Sequence, residues 1–89
     1  MPVRVLIVDD HTLVRAGLSR LLQGFANVEV VADASNAEQA LQMAIQHSPD
    51  VILMDINLPG MNGNQAQRIL RNDTRTAHIP VIALTANAM

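Results

Sequence analysis

Two adjacent carboxylates, Asp9 and Asp10, directly follow an apolar run at residues 5–8. Like charges side by side are costly unless water, a hydrogen-bond donor or a cation relieves them. A third carboxylate, Asp55, and a hydroxyl, Thr85, each lie near the end of another apolar run. Ligation by oxygen alone suits Mg²⁺, and a carboxylate beside Mg²⁺ can attack phosphorus and carry a phosphoryl group. These residue types therefore predict phosphoryl chemistry at a magnesium site, if the fold brings them together.

A purely structural interpretation competes with this chemistry. Acids at the ends of strands are often solvated, or they stabilise the positive end of the helix that follows. For Asp9 or Asp55 taken alone, the structural interpretation is the better one. The adjacent acids, the third acid and the strand-end threonine together favour a site.

Short β-branched runs predict four strands, and three of these runs are nearly continuous in apolar residues. Such continuity is typical of parallel strands that are covered on both faces. The predicted strands lie at residues 3–8, 28–32, 51–56 and 79–85.

Apolar residues between the strands recur at helical spacing and predict three helices. Ser35 and Glu38 predict a capping box at the start of the second helix. The third helix covers roughly residues 65–71. Residues 57–63 are rich in turn-forming residues and predict a loop. The apolar stripe of the first helix consists of Val14, Gly17, Leu18, Leu21, Leu22 and Phe25.

This alternation of strands and helices predicts an α/β fold, a doubly wound parallel sheet with right-handed crossovers. Ligands of such sheets bind beyond the carboxyl ends of the strands. If the first and third strands are neighbours, Asp9, Asp10, Asp55 and Thr85 share one rim of the sheet.

The composition predicts one small domain, residues 1–89, with 49% hydrophobic and 16% charged residues. The net charge of −2 gives no reason to expect direct binding to nucleic acid or to an anionic membrane. The chain has no cysteine. Its apolar runs are too short to span a bilayer and its N-terminus does not resemble a signal peptide, so we expect a cytoplasmic protein.

Three segments resemble the receiver domain of bacterial two-component response regulators: "VLIVDDHTLVRAGLSRLL", "DVILMDINLPGMNG" and "IPVIALTA". The resemblance covers essentially the whole chain. It implies a flavodoxin-like fold and a signalling module that accepts a phosphoryl group from a histidine kinase or a phosphotransfer protein. Such a module is not a turnover enzyme.

The resemblance also implies roles at the predicted site. Asp55 would be the phosphoacceptor, and Asp9 and Asp10 the acidic pair that holds Mg²⁺, Asp10 more directly. The backbone carbonyl of Asn57 would complete the protein's share of the metal shell.

The remaining roles concern the switch and the loop. Thr85 would be the hydroxyl that moves toward the phosphoryl group, and Ala86 the small residue that leaves room for it. Pro59 and Gly60 would shape the loop, with Gly63 at the entry to the third helix.

The sequence departs from the family at its end, where the fourth helix, fifth strand and fifth helix of a receiver are expected to be missing. The chain also has no lysine, although the family pairs a lysine with the phosphoryl group. We therefore expect impaired phosphorylation, and self-association into a homo-oligomer through the exposed strand at 79–85. The alternative function is a non-signalling, receiver-like scaffold or fragment that self-associates.

Two further interpretations are weaker. An enzyme of the haloacid-dehalogenase type would need an acid two residues after its nucleophile, but His11 and Thr12 stand at those positions. His11 could approach the metal or the phosphoryl group. The absence of a second histidine at ligand spacing instead favours an exposed residue at the start of the first helix.

Overall fold

The computed structural model describes residues 2–55, 57–58 and 61–84. Within these residues, strands and helices alternate along most of the chain. The strands are β1 (Val3–Val8), β2 (Val28–Ala34), β3 (Val51–Asp55), β4 (Asn57–Leu58), β5 (Met61–Asn62) and β6 (Val81–Leu84). The helices are α1 (Thr12–Gln23), α2 (Ala37–His47) and α3 (Gly63–Asn72).

The four longer strands form one parallel sheet in the order β2-β1-β3-β6. The predicted α/β fold with a parallel sheet is therefore confirmed, and so is the predicted adjacency of the first and third strands. β4 and β5 form a separate antiparallel pair within the predicted loop at residues 57–63. None of the helices that the structure describes is long and apolar enough to cross a membrane.

The core lies mainly between the sheet and two of the helices. Leu6 and Val8 of β1 are buried among side chains of β3, α2 and α3, while Val5 and Ile7 are buried on the opposite face of the same strand. Burial on both faces explains why this run is continuously apolar. Besides Leu6 and Val8, the cluster contains Ala34, Ala40, Ala44, Ile52, Met54, Ala66, Leu70 and Ile79.

Helix α1 is covered less than its apolar stripe predicts. Val14 is 45% exposed, Leu21 63% and Phe25 56%, and no residue of α1 is fully buried. Within the described part of the chain, α1 packs mainly against β1 and β2. The helical period predicts which residues share a face, but the depth of burial depends on how many elements pack around that face.

The predicted capping box at the start of α2 is displaced by one residue. The N-cap is Asn36, whose side chain accepts a 2.8 Å hydrogen bond from the Gln39 backbone N–H. Gln39 Oε1 in turn accepts hydrogen bonds from the backbone N–H and the hydroxyl of Ser35. The structure caps α2 at Asn36, whose backbone is extended. The side chain of Gln39 reaches back to Ser35, one residue before the N-cap, so the arrangement differs from the predicted capping box.

Candidate functional site

The pairing of the strands places Asp9 and Asp55 at one rim of the sheet. Val8 of β1 is paired with Met54 of β3, so the next residues, Asp9 and Asp55, follow on neighbouring parallel strands. Asp55 is itself paired with Leu84, the last residue of β6. The carboxyl ends of β1, β3 and β6 therefore meet where the α/β topology is expected to bind ligands.

Asp9 is a buried carboxylate, with 1% of the residue exposed. Its backbone N–H donates a 3.0 Å hydrogen bond to the Ala34 carbonyl, which ties the end of β1 to β2. Its Oδ1 accepts a 2.8 Å hydrogen bond from the His11 backbone N–H. Its Oδ2 is buried and has no hydrogen-bond partner among the residues that the structure describes. A buried carboxylate oxygen of this kind is costly unless a hydrogen-bond donor or a cation satisfies it.

Asp10 and His11 complete a cluster around Asp9. His11 Nδ1 lies 2.9 Å from Asp10 Oδ1 and 3.5 Å from Asp9 Oδ1. The shorter contact has the distance of an ion pair but not the geometry of a hydrogen bond, and Asp10 Oδ1 otherwise has no partner within the described ranges. One ligand atom from each of these three residues lies within 4.8 Å of the others. Such a spacing suits the binding of one metal ion.

The cluster differs from the predicted one in its third member. Asp55 lies beside Asp9 by strand register, but it is not part of the group of ligand atoms within 4.8 Å of one another. His11 takes that place, although the sequence favoured an exposed residue without chemistry. Its position at the start of α1 and its 54% exposed side chain agree with that interpretation. His11 directly follows the acidic pair in the sequence, and this adjacency was the signal that could have predicted its contact with Asp9 and Asp10.

Arg15 supports the cluster and was not predicted from the sequence. Its side chain is 16% exposed, and one guanidinium nitrogen donates a 2.7 Å hydrogen bond to the Asp9 carbonyl. Its Nε lies 3.5 Å from Oδ1 of Asp33 on β2. Arg15 therefore links α1, the end of β1 and β2. Arg15 follows His11 by four residues, and residues four apart lie on the same face of a helix. This spacing was the signal that could have predicted Arg15 near the acidic cluster.

The residues present fit a divalent cation. Two buried oxygens, Asp9 Oδ2 and Asp10 Oδ1, have no hydrogen-bond partner in the described part of the chain, and carboxylate oxygens are ligands that Mg²⁺ accepts. The backbone of Asn57 lies in β4, two residues after Asp55. Thr85 and Ala86 lie outside the described residues, and so do Pro59 and Gly60. Gly63 begins α3, at the entry to the helix as expected.

Comparison with known proteins gives consistent results. A family profile described as "Response regulator receiver domain" matches residues 5–89. The nitrate/nitrite response regulator protein NarL of Escherichia coli K12 is 37% identical over 84 residues, which are 94% of this chain and 39% of NarL. The response regulator GacA of Pseudomonas viridiflava is 43% identical over 84 residues, 93% of this chain and 38% of GacA.

Solved structures agree with the sequence relatives. The response regulator domain of Thermotoga maritima CheB is 33% identical with a TM-score of 0.83, over 96% of this chain and 61% of that one. A LuxR-family two-component response regulator from Aurantimonas sp. SI85-9A1 is also 33% identical, with a TM-score of 0.84, over 96% of this chain and 59% of that one. The chain spans about two fifths of the length of the curated relatives named above. With a profile match over nearly all of its residues and relatives 37% and 43% identical over most of its length, the chain belongs to the response regulator receiver domains of two-component systems.

Proposed function

We propose that this chain is a phosphoacceptor module in which Asp55 receives a phosphoryl group from a phosphohistidine. The donor is a histidine kinase or a phosphotransfer protein in the cytoplasm. The observation that carries the proposal is the buried Asp9, whose Oδ2 has no hydrogen-bond partner among the described residues. Asp9 directly follows β1, and Asp55 is the last residue of the neighbouring strand β3, so the two acids lie at the same rim of the sheet. A cation there would satisfy that oxygen and stand beside the proposed phosphoacceptor.

In the proposed step, a carboxylate oxygen of Asp55 forms a bond to phosphorus and the phosphorus–nitrogen bond of the donor breaks. The imidazole of the donor keeps the electron pair and takes up a proton, and Asp55 carries an acyl phosphate. Asp9, Asp10 and Asp55, with the carbonyl of Asn57, would hold Mg²⁺. When bound, Mg²⁺ supplies positive charge to the transferring phosphoryl oxygens.

The signal would leave the module through a change of its surface rather than through a released product. In this proposal, the hydroxyl of Thr85 donates to a phosphoryl oxygen and Ala86 leaves room for that movement. Each chain then accepts one phosphoryl group, which is the behaviour of a switch and not of a turnover enzyme.

A second candidate is a receiver-like scaffold that does not signal. The chain has six basic residues besides histidine, all of them arginine, so no lysine is available to pair with a phosphoryl group. Arg15, which contacts the Asp9 carbonyl, is already engaged with Asp33 as well. If the chain is such a scaffold, it keeps the receiver fold but does not become phosphorylated.

Intact mass separates the two candidates. The chain is incubated with Mg²⁺ and acetyl phosphate, beside Asp55→Asn and a control, Glu29→Gln, which alters an exposed acid of β2. A gain of one phosphoryl group in the wild type and the control, absent in Asp55→Asn, supports the phosphoacceptor. An equal gain in Asp55→Asn would exclude Asp55. No gain in a chain whose circular dichroism shows it to be folded would favour the scaffold.

Self-association of the 89-residue chain is a further part of the proposal. β6 forms one edge of the described sheet, and Ile82 on it is 50% exposed. Since an uncovered apolar edge pairs readily with another chain, we expect the sedimentation coefficient to rise with protein concentration. Ile82→Lys should reduce that rise, whereas Leu13→Lys, at an exposed position of α1, should not. A concentration-independent monomer would contradict self-association.

A further inference from the structure

We propose that His11 makes the acidic cluster a binding site for a borderline transition-metal ion, of the class of Ni²⁺ and Zn²⁺. In this site the imidazole Nδ1 is a ligand beside the carboxylates of Asp9 and Asp10. The inference rests on the same acidic pair as the proposed function, but it adds a nitrogen ligand that a magnesium site does not use.

The distances between the ligand atoms support one shared ion. Two ligands at right angles around a metal, with bonds of about 2.1 Å, stand about 3 Å apart. His11 Nδ1 lies 2.9 Å from Asp10 Oδ1 and 3.5 Å from Asp9 Oδ1. The three side chains are therefore already close to the spacing that ligands of one ion adopt.

Burial and charge supply an independent reason for a cation. Asp9 is 1% exposed and its Oδ2 lacks a hydrogen-bond partner within the described part of the chain. Asp9 and Asp10 are adjacent in sequence, so two carboxylates stand side by side at the end of β1. A divalent ion would relieve both the unpartnered oxygen and the repulsion between the acids.

The imidazole is not used for another purpose at the start of α1. His11 is the N-cap of that helix, yet its side chain makes no capping hydrogen bond. Serine, threonine, aspartate or asparagine would cap the helix better, by about 1 kcal/mol over residues that cannot cap. His11 instead points its Nδ1 to within 2.9 Å of Asp10, while its backbone N–H is bonded to Asp9 Oδ1. The backbone bond holds the ring next to the acids.

The ligand set decides which metals gain from His11. Imidazole suits Ni²⁺ and Zn²⁺, whereas Mg²⁺ takes oxygen ligands and keeps several waters. Affinity for a site with nitrogen and oxygen ligands also rises along the first-row series toward Ni²⁺ and Cu²⁺. His11 should therefore strengthen the binding of Ni²⁺ and leave the binding of Mg²⁺ to the carboxylates unchanged.

Isothermal titration calorimetry of the whole chain with NiCl₂, and separately with MgCl₂, tests the inference. We expect His11→Ala to weaken Ni²⁺ binding by at least about 10-fold, since loss of an outer-shell partner alone costs that much. The Kd for Mg²⁺ should not change. His47→Ala and His78→Ala remove histidines outside the cluster and should leave the Kd of both metals unchanged.

Two outcomes would overturn the inference. One is an unchanged Ni²⁺ affinity in His11→Ala, and the other is an equal loss of Ni²⁺ and Mg²⁺ affinity, which would make His11 a general support of the site. Electron spin echo measurements with Cu²⁺, a paramagnetic ion that also prefers imidazole, give a direct second readout. Nitrogen coupling in the wild type that disappears in His11→Gln supports ligation by His11, and its absence from the wild type contradicts it.

The result is separable from the phosphoacceptor proposal. Asp9→Asn should abolish the Ni²⁺ site, and retained Ni²⁺ binding in that variant would place the metal elsewhere and refute the inference. In a chain that carries Asp55→Asn, adding His11→Ala should weaken Ni²⁺ binding by the same factor as it does in the wild type. If acetyl phosphate fails to modify the wild type while His11→Ala weakens Ni²⁺ binding, the proposed function fails and the nitrogen ligand stands.

Discussion

The backbone N–H of His11 donates a hydrogen bond to Asp9 Oδ1 over 2.8 Å, so the first residue after the acidic pair is tied back to it. This bond satisfies one oxygen of a buried carboxylate and leaves Oδ2 of the same group without a hydrogen-bond partner in the residues described. The arrangement therefore stores an unfavourable charge at the end of β1. A cation is the simplest group that relieves it.

Removing the charge of Asp9 should stabilise the metal-free chain. Asp9→Asn keeps the shape of the side chain and an oxygen for the His11 N–H, so we expect the free energy of unfolding in urea with EDTA to rise by about 1 kcal/mol. Mg²⁺, which stabilises a protein only by binding its folded state, should no longer raise that free energy. Glu29→Gln, at an exposed position of β2, is the matched control and should change it by less than about 0.5 kcal/mol. A less stable Asp9→Asn would show that the carboxylate is satisfied.

Removing the guanidinium of Arg15 should destabilise the chain. Arg15→Ala loses the hydrogen bond to the Asp9 carbonyl and the contact with Asp33, for which we expect a loss of about 1–2 kcal/mol in urea unfolding. Arg15→Lys should recover only part of it, because an ammonium group lacks the planar fork that reaches two partners. Arg20→Ala alters an exposed residue of the same helix and should cost less. Equal losses at both positions would assign the effect to helix propensity.

The buried hydroxyl of Thr76 should matter for the segment between α3 and β6. Thr76 Oγ1 donates a 2.6 Å hydrogen bond to the Leu70 carbonyl in the last turns of α3, and the residue is 1% exposed. Thr76→Val has a similar shape and lacks this donor, so we expect about 1–2 kcal/mol of lost stability in chemical denaturation. The matched control is Thr74→Val at an exposed position. No difference between the two variants would mean that the Leu70 carbonyl finds another donor.

The pKa of Asp73 should depend on Arg75. Hydrogen bonds from the Arg75 side chain, and next from its backbone N–H, lower the pKa of Asp73 from 3.8 to about 2. Because the folded state favours the carboxylate, the pair's contribution to stability is present above pH 3.8 and is lost as the pH falls through about 2. In carboxyl-detected NMR titrations we expect Arg75→Gln to raise this pKa toward 3.8. Arg71→Gln should not move it. A pKa that stays near 2 in Arg75→Gln would assign the shift to the backbone hydrogen bond.

Local patterns were sufficient for most of the fold. The continuous apolar run of β1 predicted a strand that is buried on both faces, and Leu6 and Ile7 are indeed buried on opposite faces of it. Helical spacing likewise located all three helices. These features can be predicted because burial of a regular element imposes its period on neighbouring residues.

Features that depend on a choice between nearly equal local options were predicted less well. Ser35 and Asn36 each begin a plausible capping box, and only the backbone conformation at Asn36 decides between them. The exposed stripe of α1 is a second case. The predicted helical period is correct, but how deeply these apolar residues are buried depends on which other elements pack against α1, and the sequence of the helix does not contain that information.

For the site, residue types and strand pattern predicted the candidate residues and the shared rim of Asp9 and Asp55, because parallel strands place their carboxyl ends together. Three features could be seen only in the folded chain: Asp9 is buried with an oxygen that has no hydrogen-bond partner among the described residues, Arg15 donates to its carbonyl, and His11 joins the cluster. The reason is physical: a sequence records which groups are present, but their burial and distances are set only when α1 packs against the ends of β1 and β2.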